Sequence, residues 1–200
     1  MDSNNSSAER GENTKKRVST LYIVMCALLT AMTFAATMLI QIPVGIGYIN
    51  FGDAVVMTSG VVLGPVGAMA VGALGSSLAD IATGYMVYAP FTFIVKGLEG
   101  FVCGLLFKKI LVGKSPYLRA VTAFLPSAAI VTVGYFFADF LLTLFGFMGE
   151  GGDGAGTLAL INGAATLVPS LIQVGISFAV AMAVAPKLPT LEFMSGGKNR

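Results

Sequence analysis

Five charged side chains lie inside or at the ends of long apolar runs of this sequence. They are Asp53, Asp80, Lys96, Glu99 and Asp139. A charge in the middle of a bilayer costs about 2.5 to 3.5 kcal/mol on insertion scales, so such residues need a partner or a function. The chemistry open to them is ligand binding, proton relay or ion pairing. The chain has no histidine, which excludes histidine-based acid–base catalysis and most transition-metal sites.

Other polar and aromatic residues stand near these charges along the chain. Tyr48 and Asn50 precede the first acidic residue, and Tyr85 and Tyr88 follow the second. An aromatic belt at the membrane interface explains such tyrosines without any ligand. Together with the charges, they also fit a lid and a stacking wall for a flat ligand.

The composition indicates the environment in which these residues work. Hydrophobic residues make up 56% of the chain and charged residues 11%, and the mean hydropathy is +0.84. Soluble domains carry about 25% charged residues, so the chain is an integral membrane protein. Its 200 residues hold about six spans of roughly 20 residues and leave little for a soluble domain.

The apolar runs predict an all-α membrane domain of six transmembrane helices within residues 18–186. Residues 1–17 are polar and are expected to form a disordered N-terminal tail, and residues 187–200 form a second tail. Pro and Gly clusters separate the runs. The predicted spans are residues 18–42, 52–63, 66–83, 91–107, 120–147 and 158–185.

The basic residues predict how the helices are oriented. With six spans, every Lys and Arg outside the apolar runs falls before the first span, between the fourth and fifth, or after the sixth. Cytoplasmic loops are rich in Lys and Arg, so we expect both termini in the cytoplasm of a prokaryotic cell whose plasma membrane holds the protein.

Under this topology the polar residues converge on the outer half of the membrane. The candidate substrate-binding residues are Tyr48, Asn50, Asp53, Asp80, Tyr85, Tyr88, Lys96, Glu99, Asp139, Asn162 and Gln173. Asp80 and Lys96 have matching depths on consecutive spans and are expected to act together at the floor of a pocket. The alternative is that they only lock two helices together, and that Asp53 is a helix N-terminal residue favoured by the helix dipole.

Small residues recur every four positions in the same region. Gly60, Gly64, Ala68, Gly72 and Ser76 would share one face of a helix and let a neighbouring backbone approach closely. The sequence contains no GxxxxGK[ST] motif, no Ser/His/Asp set and no HExxH motif, so no catalytic residue, metal site or nucleotide site of its own is predicted. A driving force for transport would have to come from another protein.

Three consecutive motifs resemble a known family. INFGDAVV, LGPVGAMAVGALGSSLAD and TGYMVYAPFTFIVKGLEG are similar to the substrate-binding S component of energy-coupling factor (ECF) vitamin transporters, in the riboflavin-type branch. The resemblance covers residues 18–185. It implies a six-helix protein that captures a vitamin or precursor outside the cell and works with a transmembrane coupling subunit and two cytoplasmic ATPases. It implies no cofactor and no nucleic-acid partner.

The resemblance also implies a docking motif on the first helix. Ala27, Ala31 and Ala35 have the required four-residue spacing and are expected to face the coupling subunit. The alternative is that they pack against helices of this chain.

Two functions remain open at this point. The first is a vitamin-binding transport subunit, and the second is a self-contained channel or proton-coupled carrier with the acidic residues and Lys96 as a relay. The excess of carboxylates favours a ligand with hydroxyl or amino groups. Pyridoxine, hydroxymethylpyrimidine and riboflavin all qualify, and we expect the loop of residues 85–91, with Tyr48, to cover a flat aromatic ligand.

Overall fold

A computed structural model describes residues 19–44, 47–110, 113–147 and 154–188. The predicted N-terminal tail lies outside these residues. Of the predicted C-terminal tail only residues 187–188 are described, so the disorder of the N-terminal tail stays a prediction.

The fold consists of six α-helices in the described residues. Their bounds are α1 Thr20–Leu39, α2 Gly52–Leu63, α3 Pro65–Ala82, α4 Ala89–Lys109, α5 Pro116–Leu144 and α6 Ala155–Val184, followed by a short 3₁₀ turn, Ala185–Lys187. Five of the helices are long and apolar enough to cross a membrane. Helix α2 has 12 residues, which at 1.5 Å each is about 18 Å and too short to cross a bilayer core of about 30 Å. The predicted helical membrane protein is therefore confirmed, with five helices of spanning length.

A β-hairpin joins α1 to α2, where the sequence predicted only a break in the helix. Its strands are β1 Ile42–Val44 and β2 Gly47–Ile49. They pair antiparallel, with Ile42 opposite Ile49 and Pro43 opposite Tyr48. The hairpin carries Tyr48 and leads directly into Asn50, so it places two candidate site residues at the end of the bundle.

Gly64 separates α2 from α3, as the predicted spans of residues 52–63 and 66–83 indicated, so the series of small residues is divided between two helices. Its φ of +80° is in the region that favours glycine, and Pro65 then starts α3 at a position where its missing N–H is not needed. Both parts of the series nevertheless face α4. A Cβ on Gly104 would lie 2.5 Å from the carbonyl carbon of Gly64, and one on Gly100 would lie 2.3 Å from the Ala68 carbonyl oxygen. A Cβ on Gly72 would lie 2.3 Å from the carbonyl oxygen of Lys96.

A packed apolar layer fills the half of the bundle that carries the basic residues. Phe107 and Phe124 are its largest buried members, and the Phe124 ring meets the Phe178 ring edge-to-face at 5.9 Å. Arg119 closes this end, since its guanidinium donates to the Phe107 carbonyl at 2.7 and 3.0 Å. The outer faces of α1, α5 and α6 expose large apolar side chains, as expected for helices in contact with lipid.

Candidate functional site

A polar cavity lies at the end of the bundle opposite the basic residues. Its volume is about 80 Å³, which is small beside the roughly 300 to 1,000 Å³ of typical ligand pockets. The residues that line it are Thr37, Tyr48, Asn50, Ser76, Asp80, Tyr85, Tyr88, Thr92, Lys96, Tyr135, Asp139, Ala165, Thr166, Pro169, Ser170 and Gln173.

Five helices and the hairpin contribute to this cavity. The last turns of α1 and α3, the first half of α4, the second half of α5 and the middle of α6 all meet there. Helices of alternating direction bring these parts to one end of the bundle, while Lys108, Lys109 and Arg119 lie near the other ends of α4 and α5. The convergence of polar groups in one half therefore exists in the structure.

Two tyrosine–carboxylate pairs form one side of the cavity. The Tyr48 hydroxyl bonds to Oδ1 of Asp80, which connects the hairpin to α3. The Tyr88 hydroxyl donates to Oδ1 of Asp139 at 2.5 Å, and the Thr166 hydroxyl donates to Oδ2 of the same carboxylate. The second pair thus connects the start of α4 to α5 and α6.

Both tyrosines lie outside the helices and stay protonated at neutral pH. Burial, and then the nearby carboxylate of Asp80, raises the pKa of Tyr48 above its usual range. Burial and the carboxylate of Asp139 raise the pKa of Tyr88 in the same direction. Because a raised pKa keeps the phenol proton in place, both hydroxyls remain donors until the pH exceeds about 10.

The three tyrosines of this region are in contact with one another. The ring of Tyr85 lies 4.9 Å from the ring of Tyr48 and 6.2 Å from that of Tyr88, measured between centroids. Such tilted and edge-on pairs are worth about 0.5 to 1.5 kcal/mol beyond burial. The rings form an aromatic wall carried by the hairpin and by the turn between α3 and α4.

A buried ion cluster lies at the deep end of the cavity. The Lys96 ammonium is bonded to Oδ1 of Asp53 and lies 3.3 Å from Oε2 of Glu99. The three side chains are at most 1% exposed. The ammonium also lies 5.4 Å from the ring centroid of Tyr135, within the range of a cation–π contact.

Gln173 connects this cluster to the hairpin. Its Nε2 donates to Oδ2 of Asp53 at 2.9 Å, and its Oε1 accepts from the backbone N–H of Asn50 at 3.0 Å. The Asn50 side chain in turn accepts from the N–H of Gly52 at 2.8 Å, at the start of α2. One amide on α6 therefore fixes both the carboxylate and the chain segment leading into the helix that carries it.

Eight of the eleven predicted site residues line the cavity, and three do not. Asp53 and Glu99 lie behind Lys96 as its ion partners. Asn162 donates to the Thr143 hydroxyl at 3.0 Å and joins α6 to α5. The participation of all eleven in ligand binding stays a prediction.

The expected unit of Asp80 and Lys96 has a different form from the one predicted. Among the described residues, the ion pairs of Lys96 are with Asp53 and Glu99, whereas Asp80 bonds to Tyr48. Glu99 is one turn further along α4 and Asp53 lies at the start of α2, so both carboxylates reach the ammonium. The cover also differs from the predicted one, because Phe91 belongs to α4 and lines a separate apolar groove between α4 and α5.

Sequence reasoning missed eight lining residues: Thr37, Ser76, Thr92, Tyr135, Ala165, Thr166, Pro169 and Ser170. Two of them carried a usable signal. Tyr135 precedes Asp139 by one helical turn, and Ser76 precedes Asp80 by the same interval, so each shares a helix face with a predicted residue. Thr37 and Ser170 sit in apolar runs in which a single hydroxyl group is common.

The alanine series of α1 lies on the outside of the bundle. Ala27 and Ala31 are exposed and Ala35 is partly buried, whereas the buried face of α1 carries Leu29 and Thr33. The alternative that these alanines pack against helices of this chain is therefore not supported, and docking of a partner there stays a prediction.

Comparison with known proteins identifies the kind of site. The model of the family "ECF-type riboflavin transporter, S component" matches residues 17–186 of the chain. The chain belongs to this family. S components are transport subunits and not enzymes, so the cavity of this S component is a candidate site for a vitamin and not for a reaction. The resemblance seen in the sequence is confirmed.

A relative of this S component also occurs among curated proteins. A protein from Pyrococcus woesei, described as "Uncharacterized protein in gap 3'region", is 35% identical over 108 residues. The aligned part covers 53% of this chain and 70% of that protein.

Proposed function

We propose that this protein captures a B-group vitamin or vitamin precursor at the outer face of a prokaryotic plasma membrane. The ligand is of the riboflavin, pyridoxine or hydroxymethylpyrimidine class. A transmembrane coupling subunit and two cytoplasmic ATPases then drive its uptake. The observation that carries this proposal is the polar, aromatic-walled cavity at the end of the bundle opposite the basic residues, in a chain of the S-component family.

The position of the cavity supports an outward-facing site. Lys108, Lys109, Lys114, Arg119 and Lys187 lie at the ends of helices or in connections away from the cavity. By the positive-inside rule this end is cytoplasmic. Helix α2 leads from the hairpin to the contact between Lys108 and Val62 at this end, and α3 leads back toward the cavity, so six helices of alternating direction would put both chain termini on the cytoplasmic side. The cavity then opens toward the outside.

The side chains around the cavity support a flat, polar ligand. Three tyrosine rings form a wall on which a heterocycle can stack. The carboxylates, hydroxyls and amides supply hydrogen-bonding groups around it. A Lys96 ammonium held between two carboxylates orients a ligand and is not a free nucleophile.

The apolar layer argues against a channel or proton-coupled carrier. Val61, Cys103, Phe107, Phe124 and Val131 are at most 2% exposed and fill the bundle between the ion cluster and the basic end. A relay through the membrane would need polar groups or water at this depth. An external motor is the arrangement that fits a site closed on its inner side.

The test is a ligand screen on the purified protein followed by recovery of its complex. Riboflavin, pyridoxine and 4-amino-5-hydroxymethyl-2-methylpyrimidine are each added in detergent, and the thermal midpoint is measured. A tight ligand raises the midpoint because it binds the folded state alone. The tagged protein should then co-purify with ATPase subunits from its host membrane. Failure of every vitamin, together with proton flux in liposomes containing this protein alone, would favour the carrier instead.

A further inference from the structure

Three polar atoms on one side of the cavity have no hydrogen-bond partner among the described residues. They are Oγ1 of Thr37, Oγ of Ser76 and Oδ2 of Asp80. Their side chains are 2%, 1% and 4% exposed, and all three line the cavity. Thr92 approaches the Asp80 carboxylate, but no donor lies within hydrogen-bond distance of Oδ2. A buried polar group left without a partner costs about 1 to 3 kcal/mol, so a ligand that fills this side of the cavity must itself supply partners for all three.

These residues lie at the same depth. Helices α1 and α3 run parallel, since Tyr22 meets Gly67 and Thr33 meets Gly75. One turn beyond the Thr33 contact comes Thr37, at the level of the part of α3 that carries Ser76 and Asp80, and its Oγ1 also lies near Gly52 at the start of α2. The two α3 residues are four apart and share one helix face. The two hydroxyls and the free carboxylate oxygen therefore form one edge of the cavity, which we call the α1–α3 edge.

Three other strong polar groups of the cavity, on Asp139, Gln173 and Lys96, are already bonded within the protein. The two oxygens of Asp139 accept one hydrogen bond each, Oδ1 from Tyr88 and Oδ2 from Thr166. Gln173 uses its oxygen and its nitrogen, and Lys96 is bonded to Asp53. Recognition by direct hydrogen bonds therefore depends most on the α1–α3 edge.

The charges define what that edge accepts. The buried charged residues of the described chain are four carboxylates, Asp53, Asp80, Glu99 and Asp139, and one cation, Lys96. An anionic group on the ligand would meet this excess of carboxylates. At the α1–α3 edge, Asp80 Oδ2 accepts a hydrogen bond, and each of the two hydroxyls can donate one.

We propose that the α1–α3 edge recognises a neutral or cationic single-ring nitrogen heterocycle through an amino group that donates to Asp80 and an adjacent ring nitrogen that accepts from Ser76 or Thr37. This inference rests on the proposed function and names the ligand class within it. A 4-aminopyrimidine has this donor next to this acceptor, whereas a 4-pyrimidinone has the two interchanged. The cavity volume of about 80 Å³ also fits a single ring better than a three-ring flavin.

The first experiment exchanges the donor and the acceptor on both sides of the contact. Calorimetry compares 4-amino-5-hydroxymethyl-2-methylpyrimidine with its 4-oxo counterpart. The unchanged protein should prefer the amino compound roughly ten- to hundred-fold, as expected for a hydrogen bond to a charged group. Asp80→Asn places an amide N–H₂ where Oδ2 was, with Oδ1 still accepting from Tyr48, and should remove or reverse this preference.

Asp139→Asn is the matched control for this exchange. Both oxygens of Asp139 are bonded to protein hydroxyls, so the substitution should weaken both compounds alike and leave their ratio unchanged. If Asp139→Asn changes the ratio and Asp80→Asn does not, the α1–α3 edge is not the site of recognition.

The second experiment uses pairs of buried hydroxyls that differ only in whether they line the cavity. Thr37→Val and Ser76→Ala should each lower the affinity for the amino compound roughly two- to ten-fold, the range of a neutral hydrogen bond. Thr33→Val and Ser177→Ala remove hydroxyls that are equally buried and unpartnered but do not line the cavity. These two variants should leave the affinity for the amino compound unchanged. Equal effects within both pairs would overturn the proposal.

The outcomes separate this inference from the proposed function. A protein that binds riboflavin tightly and neither pyrimidine remains a vitamin-binding S component, but the inference is then wrong. A protein that binds none of these compounds, nor pyridoxine, loses both. Preference for the amino compound that depends on Asp80 supports both.

Discussion

The ion cluster predicts an unequal response to the loss of its two carboxylates. Asp53 and Glu99 are both fully buried and both pair with Lys96. Their contacts differ, however. Asp53 accepts hydrogen bonds from Lys96 and from Gln173, whereas neither oxygen of Glu99 has a hydrogen-bond partner among the described residues. The isosteric changes Asp53→Asn and Glu99→Gln test whether this difference controls stability.

The expected cost of Asp53→Asn follows from its two donors. An asparagine offers one oxygen and one N–H₂ group, so it can satisfy Lys96 or Gln173 but not both. The lost bond involved a charged group and is worth about 1.5 to 3 kcal/mol. The free energy of unfolding should therefore fall by about that amount.

For Glu99→Gln, the lost ion pair and the avoided cost of burying a charge nearly cancel. At 3.3 Å and an effective dielectric constant of about 20, the attraction to Lys96 is about 5 kcal/mol. The cost of removing a carboxylate from water is also several kcal/mol. A glutamine keeps an oxygen for Lys96 and has no charge to bury, so the change in the free energy of unfolding should stay within about 1 kcal/mol.

The measurement is equilibrium unfolding in detergent micelles for the two variants and for Gln173→Leu. Because Gln173 and Asp53 share one hydrogen bond, the double variant Asp53→Asn/Gln173→Leu should lose less stability than the sum of the two single losses. A Glu99→Gln variant as unstable as Asp53→Asn would refute this reasoning, since it would mean that the ion pair and not the hydrogen bonds holds the cluster.

Three further predictions concern the helix contact, the aromatic wall and the outer face of α1. Gly100→Ala should destabilise the protein by about 1 to 3 kcal/mol in the same unfolding assay, because its Cβ would lie 2.3 Å from a backbone oxygen. Gly175→Ala should leave the stability unchanged, because its Cβ would have nothing within 4 Å. Tyr48→Phe should raise the dissociation rate of the bound vitamin in stopped-flow measurements, since it removes the hydrogen bond between the hairpin and α3. Tyr85→Phe keeps its ring contacts and should change that rate less. A larger change for Tyr85→Phe than for Tyr48→Phe would contradict the role of the Tyr48 hydroxyl. Ala31→Trp, at an exposed position, should leave vitamin binding intact in calorimetry but prevent recovery of the complex with the ATPases; loss of folding instead would place the docking surface elsewhere.

The sequence predicted the helices and the depth of the polar residues because both follow from hydropathy alone. A run of apolar residues gives the span, and the position of a charge within the run gives its depth. The choice of partner does not follow in this way. Lys96 could reach Asp53, Asp80 or Glu99 at that depth, and the register of α2 against α4 decided for Asp53. That register depends on small residues such as Gly60 and Gly104. A Cβ on Gly60 would lie less than 3 Å from Cys103, and a Cβ on Gly104 would lie less than 3 Å from the turn between α2 and α3.

The hydroxyl residues of the site were missed for a related reason. Thr37 and Ser76 look like ordinary helix residues, because a threonine or serine in a membrane helix normally bonds to a carbonyl of its own preceding turn. Thr30 and Ser77 do so at 2.8 and 2.6 Å. Only the structure shows that Thr37 and Ser76 do not and that both line the cavity, and the two observations together mark a candidate ligand contact.

The two sides of the cavity are held by different kinds of contact. A Cβ on Gly72 would lie 2.3 Å from the carbonyl oxygen of Lys96, so the backbones of α3 and α4 are in close contact at the level of the ion cluster. The aromatic wall is held differently, by individual hydrogen bonds such as that from Tyr48 to Asp80 and by ring contacts between the hairpin and the turn that joins α3 to α4. A ligand larger than the cavity of about 80 Å³ must therefore displace Tyr48 and Tyr85 rather than separate α3 from α4. Such a ligand breaks the hydrogen bond from Tyr48 to Oδ1 of Asp80. Because Oδ2 of the same carboxylate is the proposed acceptor for the ligand's amino group, displacement of the aromatic wall and binding of the amino group are linked at Asp80.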